Sequence, residues 1–234
     1  MKRLIKKLLG REKVTSQQYM EYLRKNGCEV GNGTYFYDPE STIIDPRYLH
    51  CIEIGKDCSI TRGVKILAHD YSYSVLNKVY DVLPQNNKIT VIGDNVFIGW
   101  ESIILMGTHI GNNVIIGAGS VVHGDIPDNT VWSGNPAKQI CTLEDYYIKK
   151  MKFFEDGAVA LARQIVSRYG RNPTCKEMGM YIALFLERTE ANKKYFNNVF
   201  CRLENASENL WKMPCKYKSL DDFLRTNNIL KTDG

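Results

Sequence analysis

The stretch IGDNVFIGWESIILMGTHIGNNVIIGAGSVVHGDIP, Ile92 to Pro127, divides into six lines of six residues. Each line opens on Ile or Val: Ile92, Ile98, Ile104, Ile110, Ile116 and Val122. The fifth residue is small or β-branched throughout (Val96, Ser102, Thr108, Val114, Ser120, Ile126), and four of the six lines carry Gly second. A helix cannot carry this period, because a step of six moves the apolar residue around the cylinder. Hairpins are excluded too, since no Asn-Gly or Asp-Gly turn separates longer strands. A short strand, a tight corner and another short strand, each line forming one side of a triangular coil, satisfies the pattern. The first and fifth residues then point inward, and Gly or Asn takes corners that need positive φ or have no room for a side chain. Three lines close one turn, and successive turns stack as parallel β-structure into a solenoid.

The same beat begins earlier with IGKDCS from Ile54, ITRGVK from Ile60 and ILAH from Ile66. Cys58 and Val64 take the inward fifth positions, but the next fifth position is Asp70, which does not belong in an apolar core. The coil is therefore expected to open after His69, and residues 70–90 (DYSYSVLNKVYDVLPQNNKIT) to form an excursion, of the sort that is often functional. Upstream, VGNGTYFYDPESTIID reads as less regular early coils, and SQQYMEYLRKNG as a short helix closed by Gly27. After GNPAKQI the pattern turns helical: apolar residues from Leu143 to Tyr169 keep helical spacing, and RYGRNPT breaks that helix. Thr174 with Glu177 offers a capping box, and a last helix begins at Ser219. The expected organisation is an N-terminal helical segment (1–27), a solenoid (28–140) and a helical C-terminal extension (141–234).

A chain of 234 residues accommodates one large domain with an appendage, and a formal charge of +5 without a long basic tract does not suggest nucleic-acid binding. The seven cysteines form no CxxC pair and are odd in number, which reads as reduced thiols in a cytoplasmic protein. The start, MKRLIKKLLGREK, lacks the continuous apolar run of a cleavable signal, and no stretch is long enough to span a bilayer. That basic amphipathic start either caps the fold or rests on an anionic membrane surface.

The run from Ile92 to Ile140, with GNPAK following the repeat and a histidine preceding the coil break, resembles the hexapeptide-repeat acyltransferases. Within them it is similar to the galactoside, maltose and xenobiotic acetyltransferases. ILAHDYSYS together with the helical LEDYY tail most resembles the O-acetyltransferases of bacterial capsule and exopolysaccharide synthesis. The resemblance implies a mainly β fold, a left-handed parallel β-helix, an exception to the right-handed crossover preference. It also implies a homotrimer with the site between two solenoids, and direct acetyl transfer from acetyl-CoA to a saccharide hydroxyl with no acyl-enzyme. His69 stands where this group places its catalytic histidine. A sugar hydroxyl holds its proton at neutral pH, and an imidazole of pKa about 6.5 can take it as the oxygen attacks a thioester. An Asn or Asp from an earlier coil helps to hold the acceptor or orient the base. Asp38 and Asp45 are the candidates, each also a turn residue before proline, while Asp70 is too near His69 in sequence for its direction to be read. For the donor, Trp100 and Ala118 fall at stacked corners one turn apart, His123 lies where contact with CoA is expected, and Lys138 of GNPAK matches a basic residue that meets CoA phosphate. Trp100 departs from the small residue common there, and Gly124 and Cys141 stand where relatives carry a lysine or an arginine.

Other readings compete. A xenobiotic O-acetyltransferase shares the base and the donor site. A metal-dependent hydratase on the same solenoid needs clustered histidines, which the spacing of His50, His69, His109 and His123 does not offer, so no metal is expected. A structural or binding solenoid treats His69, the break and Lys138 as coincidence.

Overall fold

The computed structural model describes residues 13–199, 208 and 210–230. The basic amphipathic start and Cys201 lie outside them. The chain divides into two compact units at Tyr146/Tyr147.

In the first unit, helix α1 (Ser16–Lys25) begins with a capping box between Thr15 and Gln18 and buries Tyr19, Met20 and Leu23. The chain then winds. β1 (Glu29–Val30), β2 (Tyr35–Phe36) and β3 (Ile43–Ile44) make one turn, and β4 (Ile52–Ile54), β5 (Ser59–Ile60) and β6 (Lys65–Ile66) the next. β7 (Thr90–Ile92), β8 (Phe97–Ile98) and β9 (Ile103–Ile104) follow, then β10 (His109–Ile110), β11 (Ile115–Ile116) and β12 (Val121–Val122). β13 (Asp125–Ile126) and β14 (Thr130–Gly134) begin a further turn, and β15 (Ala137–Thr142) folds back on β14 as its antiparallel partner. Every third strand stacks, giving three parallel sheets in the orders β1-β4-β7-β10-β13, β2-β5-β8-β11-β14 and β3-β6-β9-β12. The first position of each line is the apolar core: Ile60, Ile66, Ile98, Ile104, Ile116 and Val122 are all 0% exposed. Each such side chain contributes about 1.5–3 kcal/mol by leaving water.

The small fifth residues have a polar task. The hydroxyls of Ser102 and Ser120 donate to the Gly117 carbonyl at 3.0 and 2.6 Å, and that of Thr108 donates to the Leu105 carbonyl at 2.6 Å. They satisfy corner carbonyls that no strand pairs. Another corner is held from outside by Asn and Asp: Asp57, Asn95, Asn113 and Asn129 all take positive φ, a conformation these residues tolerate best after Gly. Their side chains form a ladder, the Asn95 amide donating to Asn113 at 2.9 Å and that of Asn113 to Asn129 at 3.1 Å. Gly99 is required by a close approach, since a Cβ there would lie 2.5 Å from the Ala118 nitrogen.

Two details differ from the sequence reading. Ile126 is not the fifth residue of the line begun at Val122; it pairs with Ile110 and so opens the next line. The line VHGD is shorter than its neighbours because Gly124, at φ 74°, turns the chain early. The interrupted line is also completed. Its inward fifth position, which the count assigned to Asp70, is filled by Thr90, 0% exposed, whose hydroxyl donates to the Leu67 carbonyl at 2.7 Å and accepts from the Gly107 N–H at 3.1 Å. The excursion is thus an insertion between His69 and Thr90. It contains helix α2 (Tyr73–Tyr80), in which no residue is buried.

The second unit is helical. The boundary falls within α3 (Leu143–Tyr169); α4 (Cys175–Met178) carries the Thr174–Glu177 capping box and runs into a 3-10 turn, Gly179–Leu184. α5 (Glu190–Val199) and α6 (Leu220–Thr226) follow, with Ser219 capping α6 through the Asp222 N–H. Ala158, Ala162, Met178, Ile182, Phe185, Phe196, Phe223 and Leu224 form this unit's own core. Among the described residues no helix is long and apolar enough to cross a membrane.

Replacing Thr90 by Val keeps the shape but leaves the Leu67 carbonyl and the Gly107 N–H unpaired, a loss of about 1–3 kcal/mol readable as a lower urea midpoint. The thiols give a second check. Burial pushes Cys28 up to about 12 and also raises Cys58. Both therefore stay protonated at mildly alkaline pH, and iodoacetamide is expected to leave them unmodified in the native protein and to label them once urea unfolds it.

Candidate active site

The site is built on one carboxylate. Asp45 follows β3, and its backbone N–H donates to the Ile66 carbonyl at 2.9 Å, so it stacks on the strand that leads to His69. Its side chain is 1% exposed. A carboxylate so far from water must be surrounded by donors, and it is. Oδ1 accepts from the Arg47 N–H at 3.2 Å, Oδ2 accepts from the Ala68 N–H at 3.1 Å, and Oδ2 also pairs closely with Nδ1 of His69. An ionised carboxylate only accepts, so the Nδ1 position carries the proton, and in the neutral imidazole Nε2 then carries the lone pair. The Nε2 atom is buried and has no hydrogen-bond partner among the described residues.

Two aromatic rings pack against the imidazole. The Tyr48 ring lies 4.8 Å away at a tilt of 47°, and the Tyr71 ring meets it edge-on at 4.5 Å. The returning limb of the excursion lies alongside: His69 bridges to Asn87, the Lys88 N–H donates to the Ala68 carbonyl at 2.9 Å, and the Gln85 side-chain amide donates to the Tyr48 hydroxyl. The outcome is a base-competent nitrogen on a rigid corner, covered by aromatic rings and by a segment outside the repeat.

Of the three aspartates, the structure brings only Asp45 to His69. Asp38 lies 3.6 Å from Arg62, and its backbone carbonyl accepts from the Ser41 and Thr42 hydroxyls. Asp70, adjacent in sequence, accepts from the N–H and hydroxyl of Ser72 at 2.9 and 2.7 Å, bonds that hold its carboxyl below the usual carboxylate range. The hydrogen-bond partner of His69 is Asp45, while the Asp38 carboxylate stands beside Arg62 and that of Asp70 binds Ser72.

Trp100 and Ala118 fall at stacked corners as expected, two residues beyond the paired Ile98 and Ile116, and both are exposed. The Trp100 carbonyl is taken by the Gly119 N–H at 2.7 Å. His123 is exposed immediately after β12. Lys138 is exposed on β15 opposite Ser133, just past the cis Asn135–Pro136 peptide at the hairpin tip. Arg47, Tyr48, Tyr71 and Gln85 carry no motif in the sequence. The only signal was proximity, "DPRY" following Asp45 and "DY" following His69. His109 lies on the outer face of the coil beside Asp125, 3.1 Å away, and among the described residues no three His, Cys, Asp or Glu side chains gather as a metal would need.

Comparison with known proteins agrees with this architecture. Residues 89–123 match the family described as the hexapeptide repeat of succinyl-transferase. Over 179 residues, 72% of this chain and 99% of the relative, the sequence is 40% identical to Protein CapG of Staphylococcus aureus. It is 37% identical over 120 residues, 47% of this chain and 61% of the relative, to the putative lipopolysaccharide biosynthesis O-acetyl transferase WbbJ of Escherichia coli. A galactoside O-acetyltransferase of the same species is 37% identical over 111 residues, 43% of this chain and 55% of that protein. The chain belongs to the hexapeptide-repeat acetyltransferase family. It is an acyltransferase.

The hydrogen-bond arrangement predicts a single neutral tautomer. In nitrogen NMR of histidine-labelled protein above the imidazole's titration, His69 is expected to show a protonated Nδ1 and an unprotonated Nε2, and Asp45→Leu to lose that preference.

Proposed function

We propose that the chain transfers acetyl from acetyl-CoA to a hydroxyl of a saccharide, a capsular or exopolysaccharide unit or its precursor, with His69 as general base. The observation that carries this reading is the pairing of His69 Nδ1 with buried Asp45 while Nε2 is left without a protein partner. The names of the relatives, a lipopolysaccharide O-acetyl transferase and a galactoside O-acetyltransferase, support an acceptor of sugar chemistry.

In the proposed reaction the acceptor oxygen attacks the thioester carbonyl while its proton passes to Nε2. The imidazolium so formed is balanced by Asp45 through Nδ1, and the developing oxyanion takes hydrogen bonds from backbone N–H groups. Collapse of the tetrahedral species breaks the carbon–sulfur bond, and the departing thiolate recovers the proton from Nε2. One acetyl ester and one free thiol result, and the enzyme returns to its starting protonation. Asp45 is a positioning residue. Trp100 and Ala118 flank the pantetheine arm, His123 contacts CoA, and Lys138 meets its phosphate. For the acceptor to reach Nε2 the excursion must part from the coil, and the Gln85–Tyr48 hydrogen bond is a polar tie between them. The coil is read as left-handed and the assembly as a cytoplasmic homotrimer.

Thiol release from acetyl-CoA, measured with a panel of sugars, nucleotide sugars and antibiotics, tests this. His69→Ala is expected to lower kcat about a hundredfold or more. Asp45→Asn is expected to lower kcat about tenfold or more while leaving the KM for acetyl-CoA nearly unchanged, because it disturbs only the tautomer and orientation of the base. Unchanged turnover in His69→Ala removes the mechanism.

A further inference from the structure

Arg47 is bound to the same carboxylate as the base. One oxygen of Asp45 accepts the Arg47 backbone N–H at 3.2 Å, and the other holds His69, so the two residues are fixed to one rigid corner. The guanidinium carbon of Arg47 lies 6.0 Å from the centre of the Tyr71 ring, and that ring lies 4.5 Å from the imidazole. The side chain is exposed and makes no ion pair among the described residues. Carboxylates nearby are already committed: that of Asp45 to His69, Ala68 and Arg47's own backbone, that of Asp70 to Ser72. Arg62, by contrast, stands beside Asp38.

An unbalanced cation that shares the Tyr71 ring with a general base is unfavourable for the proposed chemistry. The base becomes an imidazolium in the transition state, and a guanidinium across that ring opposes the charge. A substrate that brings its own negative group removes the opposition and gains a charge-assisted, two-pronged hydrogen bond. Tyr71 and Tyr48 present aromatic surface on which the apolar face of a sugar ring can lie, next to the guanidinium. We propose that Arg47 selects an acidic acceptor, a saccharide bearing a carboxylate or phosphate within reach of the hydroxyl that is acetylated. This rests on the reading of His69 as the base of a saccharide acetyltransferase and specifies the acceptor of that same site.

The test compares methyl glucuronide and glucose phosphate with methyl glucoside as acceptors, by thiol release from acetyl-CoA, for wild type, Arg47→Ala and Arg47→Lys. Wild type is expected to favour at least one acidic acceptor in kcat/KM by about tenfold or more, and the member favoured tells carboxylate from phosphate. Arg47→Ala is expected to bring that ratio close to one, and Arg47→Lys to retain part of it. The ratio is internal to each protein, so a partial loss of folded enzyme does not move it. Equal rates on acidic and neutral sugars in wild type overturn the role of Arg47 and leave the acetyltransferase reading intact. A rise in the KM for acetyl-CoA, with the acceptor ratio kept, also overturns it by moving Arg47 to the donor. Failure to acetylate any of the sugars, while an antibiotic is acetylated, overturns both.

Discussion

The Asp45 carboxylate is the group to which the rest of the site is referred. Burying it costs several kcal/mol unless donors replace its water, and the donors that replace it are a corner amide, a turn amide and the imidazole. Two of these are backbone groups, fixed by the coil itself. The third is the side chain whose lone pair is then directed elsewhere. The carboxylate thus converts the positional accuracy of stacked β-turns into the orientation of one ring, without a loop intervening between frame and ring.

That frame is rigid for reasons visible residue by residue. Isoleucines fill the axis, hydroxyls at the fifth positions close the corner carbonyls, and an Asn ladder holds the left-handed backbone of an outer corner. Each turn rests on its neighbours, so a position in one coil is set by the coils above and below. Asp45 and His69 belong to successive turns of one sheet, paired through β3 and β6, and this stacking brings together residues 24 apart in sequence.

Where the hexad is undisturbed, the sequence was legible almost to the residue, from Ile92 to Val122. It failed where a line changed length. VHGD begins with a proper Val and ends near a proper Ile, so counting by six put Ile126 inside the wrong line; the early turn at Gly124 has no marker beyond the glycine. Thr90 was missed because the residue that completes an interrupted line lies beyond the insertion. The clue was that Thr90-Val91-Ile92 repeats the pattern of Thr108-His109-Ile110 one turn earlier. Helix α2 shows only in the helical spacing of Val75, Leu76, Val79 and Tyr80, and none of its residues is buried, so the segment lacks the apolar pattern that a core imposes. At the site, His69 and Asp45 were both readable as candidates. Their pairing was not, since Asp38, Asp45 and Asp70 are equivalent as letters, and only hydrogen bonding separates one held beneath the corner from two engaged elsewhere.

The insertion explains how a fixed histidine and a segment outside the repeat coexist in one short chain. Closing a loop across two adjacent points of a formed coil carries an entropy cost that grows only with the logarithm of its length. Here the two ends are secured by the Lys88 N–H on the Ala68 carbonyl and by the Thr90 hydroxyl on the Leu67 carbonyl. The coil therefore continues almost as if nothing had been inserted, and the core does not register the sequence of residues 70–87. Changes in that segment alter what surrounds Nε2, while the Asp45 contacts that hold Nδ1 lie outside it. His69 consequently stands at a junction: Asp45 of the preceding turn fixes its Nδ1, and the residues that follow it leave the repeat.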